Sequence, residues 1–339
     1  MADSALRRAA SVGDVIALAT ALRRGANVDA VKKHDPEDRE GFAALHLAAE
    51  AGKLDACVSL LTAGAAPNMA TAAGYTPLMF ACMNGHLDIV GTLLDARADI
   101  RAKTKKKGRT AMYWACARGK LNVLQLLFKR GAALECKSDL GERALLAAAA
   151  AGHASIIAAL ISRGVSLAAP GVSPMMLAAR NGRHHAVDEL LRGMARIDEL
   201  NLQGRGPDSV TRNITREQLL RVDANGLNVL MIASHAGHAR VVRSILQQSH
   251  VAESNKGWYV NLRAPDNFCG KTALMLAAAG GHYGACRFLL QAGASPRMRD
   301  RNNFTAAMIA SMGKNKQVLE LLDGLAQRQF LKRGSKYNY

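Results

Sequence analysis

GYTPLMFACMNGHLDIVGTLLDARADI, residues 74–100, contains every signal of a helix, a tight turn, a second helix and a loop. Thr76 is a residue type that caps a helix. Pro77 fits the first helical turn, where no N–H is needed. Gly85 can take the left-handed conformation that ends the first helix. Leu93–Leu94 offers a core for the second. Each helix falls short of the about 12–15 residues at which an isolated helix is marginal in water. Such a unit has to bury its apolar face against a neighbour.

The neighbours are copies of itself. GFAALHLAAEAGKLDACVSLLTAGA begins at Gly41, GRTAMYWACARGKLNVLQLLFKRGA at Gly108 and GERALLAAAAAGHASIIAALISRGV at Gly141. Further copies begin at Gly171, Gly226 and Gly270. The turn glycines Gly52, Gly85, Gly119 and Gly152 are separated by 33, 34 and 33 residues. Thr110, Thr272 and Asn228 repeat the cap, and Ser173–Pro174 repeats cap and proline together. Small pairs such as Ala81–Cys82 and Ala115–Cys116 let helices approach closely, and Leu60–Leu61 and Leu126–Leu127 supply core. Period and pattern together resemble the ankyrin-repeat family over roughly residues 4–323.

That resemblance implies an all-α solenoid of about nine helix-turn-helix units, in which no repeat is stable without its neighbours. Residues 5–30 read as a degenerate first repeat and 303–325 as a last one with a more polar second helix, as end repeats need for solubility. The expected organisation is an elongated array over 1–325 and a basic tail over 326–339. Two insertions, 193–222 and 248–266, break the period and are expected to be long loops on one face. Family members usually carry His after the first leucine, where it hydrogen-bonds within the fold. Only His46 keeps it here, and Met79, Met176, Met231, Met275 and Met308 replace it, most simply as adaptable packing.

Catalytic and cofactor chemistry was sought and is not expected. FCGKT at 268–272 ends like a phosphate-binding loop, but Pro265 stands where the first glycine is required. His238 in HAGH shares a turn position with His86, His153 and His282, which points to structure rather than a metal pair. The six cysteines have no metal spacing and no CxxC, and read as small hydrophobes in a reducing compartment. No nucleophile–base–orienter set is evident, so the chain reads as a non-enzyme without cofactor or metal. No apolar run is long enough to span a membrane, and a secretory leader is absent from MADSALRRAASVGDV, so a cytoplasmic place is expected.

Charge is more informative. The formal net charge is +18, yet residues 1–100 hold 9 Lys/Arg and 12 Asp/Glu. Residues 101–339 hold the other 36 and 15. Such asymmetry suggests an oriented acidic partner. It peaks in IRAKTKKKGRT, where Arg101, Lys103, Lys105, Lys106, Lys107 and Arg109 crowd one inter-repeat tip, followed by Arg118. The plain reading is a solvated loop. The functional one is a contact finger, because family members bind through fingertips and the exposed side of the first helix. Trp258 and Tyr259 are adjacent aromatics in the second insertion, either loop pins or interface anchors. Lys332 and Arg333 lie in the tail, with aromatics interleaved. Trp114 falls at the position of Leu47 and Phe80 and reads as packing.

The expected function is a protein-interaction scaffold on an acidic protein surface or large assembly. A microtubule-associated role is one concrete form. The alternatives are an RNA-binding subunit of a ribonucleoprotein, with phosphate as the acidic partner, and a regulator of a partner enzyme.

Overall fold

The computed structural model describes residues 1–31, 41–132, 138–167, 173–203, 214–247 and 257–324. Among these, all regular structure beyond two isolated bridges is helical, and the chain forms two compact units, Met1–Ser166 and Leu167–Tyr339.

The first unit holds five helix pairs. Their first helices are Ala2–Val12, Ala44–Ala51, Pro77–Asn84, Ala111–Ala117 and Asp139–Ala151, each packed on the next. Their second helices, Val15–Arg23, Leu54–Thr62, Leu87–Asp95, Leu121–Lys129 and Ala154–Ser162, form a parallel row behind them. Thr76 and Thr110 accept the backbone N–H of Met79 and Tyr113, as their cap position requires. Core positions follow the repeat: Leu60, Leu93, Leu127 and Leu160 are fully buried.

Gly85 takes φ +88°, and a side chain there would also strike Lys120 of the next repeat, whose Cδ lies 2.8 Å from the Cβ position. Histidines fill that stacking place in other repeats. His86 Nε2 pairs with the Glu50 carbonyl at 3.2 Å, and in the second unit His238 and His282 pair with the carbonyls of Arg180 and His235. The turn histidines join successive repeats, as their shared register suggested.

Repeat five departs from expectation. Gly141 does not open a turn; it is buried inside helix Asp139–Ala151. Arg143 stands where most other repeats carry Thr, Ser or Asn, and the cap is instead Ser138, whose hydroxyl accepts the Leu140 N–H, so the helix starts early.

The second unit stacks first helices Pro174–Arg180, Val229–His235, Ala273–Ala279 and Ala306–Met312. Its second helices are His184–Leu202, Ala239–Leu246, Tyr283–Gln291 and a segment over 316–324. With these the pairs among the described residues number nine. The first insertion is not a long loop. Its described part extends helix His184–Leu202 and then forms helix Ile214–Leu220, which packs on it and on Val229–His235. Asp198, 5% exposed, makes this possible: its carboxylate accepts the N–H of Ile214 (2.6 Å) and Thr215 (3.0 Å) and the Thr215 hydroxyl (2.6 Å). Ser173, expected as a plain cap, instead donates its hydroxyl to Gln218 of the same helix at 3.1 Å.

The methionine row is packing at four places. Met79, Met176, Met231 and Met275 are at most 4% exposed, whereas Met308 is 44% exposed. Cysteines 57, 82, 116 and 286 are buried, and burial pushes the thiols of Cys57 and Cys286 up to about 12. They behave as small core residues.

Candidate docking site

The basic tip is a hairpin finger, and its local bonds are those of the finger before it. In that preceding finger the Thr71 N–H donates to the Tyr75 carbonyl (2.8 Å) and the Tyr75 N–H returns to the Thr71 hydroxyl (3.1 Å). In the basic finger the Thr104 N–H donates to the Arg109 carbonyl (3.0 Å) and the Arg109 N–H returns to the Thr104 hydroxyl (3.0 Å). The basic finger spans one residue more between its ends, and three of its four intervening residues are lysines. This extra residue accounts for the single 34-residue interval. The finger is held on both sides: the Lys105 N–H donates to the Ala73 carbonyl at 3.1 Å, and the Lys107 carbonyl accepts from Arg143 at 2.9 Å.

Arg101, Lys103, Lys105, Lys106 and Lys107 are exposed, so the tip presents cations at fixed backbone positions. Arg109 differs from them. Its guanidinium lies 4.7 Å from the Tyr113 ring centre and 5.0 Å from that of Trp114, and the residue is partly buried. Aromatic faces attract a guanidinium and leave its N–H edge free for a planar anion. Arg118 is exposed at the opposite end of helix Ala111–Ala117, about 10 Å away by helical rise, and is not part of the tip.

Behind the finger runs an aromatic row. Phe42 meets Phe80 at 5.0 Å between ring centres, Phe80 meets Tyr75 at 5.5 Å, Tyr75 meets Trp114 at 5.6 Å, and Trp114 meets Tyr113 at 5.3 Å. Trp114 is packing, as its register implied, but its buried Nε1–H has no hydrogen-bond acceptor among the described residues. Phe42, Tyr75 and Tyr113 are only partly buried, so the row reaches the surface. Sequence reading missed this row as a unit. The available signal was an aromatic directly after Gly41 and Gly74 combined with Phe80 and Trp114 at one register position.

The other candidates fare differently. Tyr259 is 2% exposed, its hydroxyl donates to the Leu219 carbonyl at 3.3 Å, and burial pushes its phenol well above the usual range. It pins helix turn Gly257–Val260 to the array and cannot touch a partner, which corrects its reading as an interface anchor. The Trp258 side chain, Lys332 and Arg333 lie outside the described residues. Among the described residues no group of three His, Cys, Asp or Glu could hold a metal ion, and no helix is long and apolar enough to cross a membrane.

Stacked helix pairs with charged hairpin fingers define a helical-repeat protein-binding module. A family model for ankyrin repeats in three copies matches residues 6–104, 45–138, 78–170, 112–203, 200–300 and 256–327. The chain belongs to the ankyrin-repeat family. The ankyrin repeat and KH domain-containing protein mask-1 of Caenorhabditis elegans is 29% identical over 320 residues, covering 88% of this chain and 12% of that protein. Ankyrin repeat and SOCS box protein 3 of Bos taurus is 34% identical over 110 residues, 32% of this chain and 21% of its own. A probable E3 ubiquitin-protein ligase of rice, XBOS33, is 39% identical over 83 residues, 24% and 16% of the two chains. The chain thus spans between 12% and 21% of the length of these relatives. The human ASB11 ankyrin repeat domain superposes with TM-score 0.55 at 23% identity, covering 71% of this chain and 96% of that one.

Proposed function

We propose that the chain is a non-enzymatic docking scaffold whose basic finger binds an acidic protein surface. The observation that carries this is Arg109 lying over the Tyr113 and Trp114 rings beside three exposed lysines. A long flexible cation contributes little to a contact because ordering it costs side-chain entropy. A guanidinium already held on two rings avoids part of that cost. Lys105–Lys107 then steer encounter, and Tyr75 and Tyr113 extend the contact with apolar surface. A microtubule lattice is one assembly with the required acidity. The ligase and SOCS-box names of two relatives fit the wider reading of a module that brings a partner to a larger machine, an enzyme included.

Four serines in place of Lys105, Lys106, Lys107 and Arg109 test the finger. Partners are first captured from extract at about 0.15 M salt, where exposed charges are already partly screened, and identified by mass spectrometry. Surface-binding kinetics of the recovered protein should then show slower association and a flatter salt dependence for the variant. Unchanged association at low salt would remove the finger from the interface. Recovery chiefly of RNA, released steeply by salt, would favour the ribonucleoprotein reading instead.

A further inference from the structure

The second unit carries a separate basic feature on its second-helix row. A groove of about 560 Å³ lies between helices Ala239–Leu246 and Tyr283–Gln291. Arg243, Arg287, Phe288, Gln247 and Gln291 line it, and among the described residues no acidic one does. Its position follows from the packing. Near their N-terminal ends the two helices are in close contact, with a Cβ at Gly284 placed 3.0 Å from that of Ala239. All the lining residues belong to the later turns and C-terminal caps of the two helices.

Repeat register shows that the two arginines are not a general feature of the row. Arg243 and Arg287 stand six residues after the turn glycines Gly237 and Gly281. Val58, Gly91, Gln125, Ala158 and Asp188 occupy the same place after Gly52, Gly85, Gly119, Gly152 and Gly182. Two adjacent repeats alone pair cations there, and both residues are exposed. The Arg243 guanidinium lies 5.8 Å from the Phe288 ring centre, which gives the groove an apolar wall beside its charge. Like charges on neighbouring helices repel, so the arrangement disfavours the empty state and favours an anionic occupant.

We infer that this groove is a second docking site, for an acidic peptide segment of a protein partner that carries an apolar side chain. Its carboxylates pair with Arg243 and Arg287, whose planar forks suit bidentate contact. The Gln247 and Gln291 amides donate to its backbone or side chains, and its apolar side chain lies on Phe288. The volume is in the range of sites that take several residues or a small ligand.

Isothermal titration calorimetry of the full chain with a peptide of alternating glutamate and leucine tests the site. The wild type should bind peptide at two places, the finger and the groove. Arg243→Ser/Arg287→Ser should lose one of them, weakened at least about tenfold, because both charged hydrogen-bond donors to the peptide carboxylates are removed. Arg243→Lys/Arg287→Lys should recover only part. Arg23→Ser/Arg24→Ser removes the same charge at exposed positions of the first unit and should change nothing. A groove variant that keeps both sites, a wild type without a groove site, or equal loss in the Arg23/Arg24 control overturns the inference. Polyuridine displacing the peptide from the groove at lower concentration than the peptide itself would overturn it in favour of RNA. Failure of the finger reading would look different: the four-serine finger variant would leave peptide binding unchanged while the groove variant abolished it.

Discussion

His46 shows how one side chain is fixed by its surroundings. Its Nδ1 accepts the Ala43 N–H at 3.2 Å, and its Nε2 faces the carbonyls of Met69 at 2.9 Å and Tyr75 at 3.3 Å. The proton therefore sits on Nε2, and the ring ties a helix N-terminus to the next finger. Burial holds the imidazole down from 6.5 to about 4, while the Met69 and Tyr75 carbonyls oppose that shift. The folded state thus resists protonation that the unfolded chain accepts below its pKa. Stability from this group is complete above pH 6.5 and is lost as pH falls towards 4. By pH 4.5 the loss amounts to about 2.5 kcal/mol. Met occupies the same position in four other buried copies, so His46→Met should fold, with lower stability at neutral pH. Urea melts at pH 7.5 and 4.5 should show that the variant loses about 2 kcal/mol less than the wild type on acidification. Equal losses would mean that His46 charges freely in the fold.

At the level of elements, the buried Asp198 carboxylate decides whether the first insertion is helical. Three donors converge on it, two of them N-terminal N–H groups of helix Ile214–Leu220. Asp198→Ala would leave these donors buried and unpaired, a cost of about 1–3 kcal/mol for each group that water cannot reach. Helix Ile214–Leu220 should then open locally before the stack does. Hydrogen exchange should show lost protection over 214–220 while Val229–His235 stays protected. Protection kept in the variant would show that packing alone holds the helix. This contact also marks where sequence reading stops. The helix pairs were legible because Thr caps, turn glycines and leucine pairs act within a few residues of themselves. Asp198 caps a helix that begins 16 residues away, and no local signal announces it. Repeat five misled for the opposite reason: Gly141 copied the pattern, but Ser138 offered an earlier cap and the helix starts there. The finger lysines were legible as a dense run. The stack of Arg109 on Tyr113 was visible only as a four-residue spacing across a cap. The Arg243–Arg287 pair emerges only when the helix-two register brings distant repeats side by side.

Charge acts on the whole molecule. The chain carries 45 basic and 27 acidic side chains, so even complete pairing leaves 18 cations without a partner of opposite sign. The ion pairs present, such as Arg130–Asp95 at 2.7 Å and Arg192–Glu189 at 3.0 Å, have at least one well-exposed member. Each contributes no more than about 1 kcal/mol, and salt weakens it. Repulsion among the excess cations extends over a Debye length of about 30 Å at 0.01 M salt but only about 8 Å at 0.15 M. A stack of 33-residue repeats sets successive charged surfaces well within the longer of these distances. Screening should therefore remove more repulsion than attraction, and folding should strengthen with salt. Thermal melts followed by far-UV circular dichroism in sodium chloride at about 0.01 M and about 0.15 M should give the higher midpoint at the higher concentration. The four-serine finger variant has the same helices but less local repulsion, so its midpoint should rise less. A midpoint that falls with salt would mean that ion pairs outweigh repulsion, and that the positive excess is spaced widely enough to be harmless to the fold.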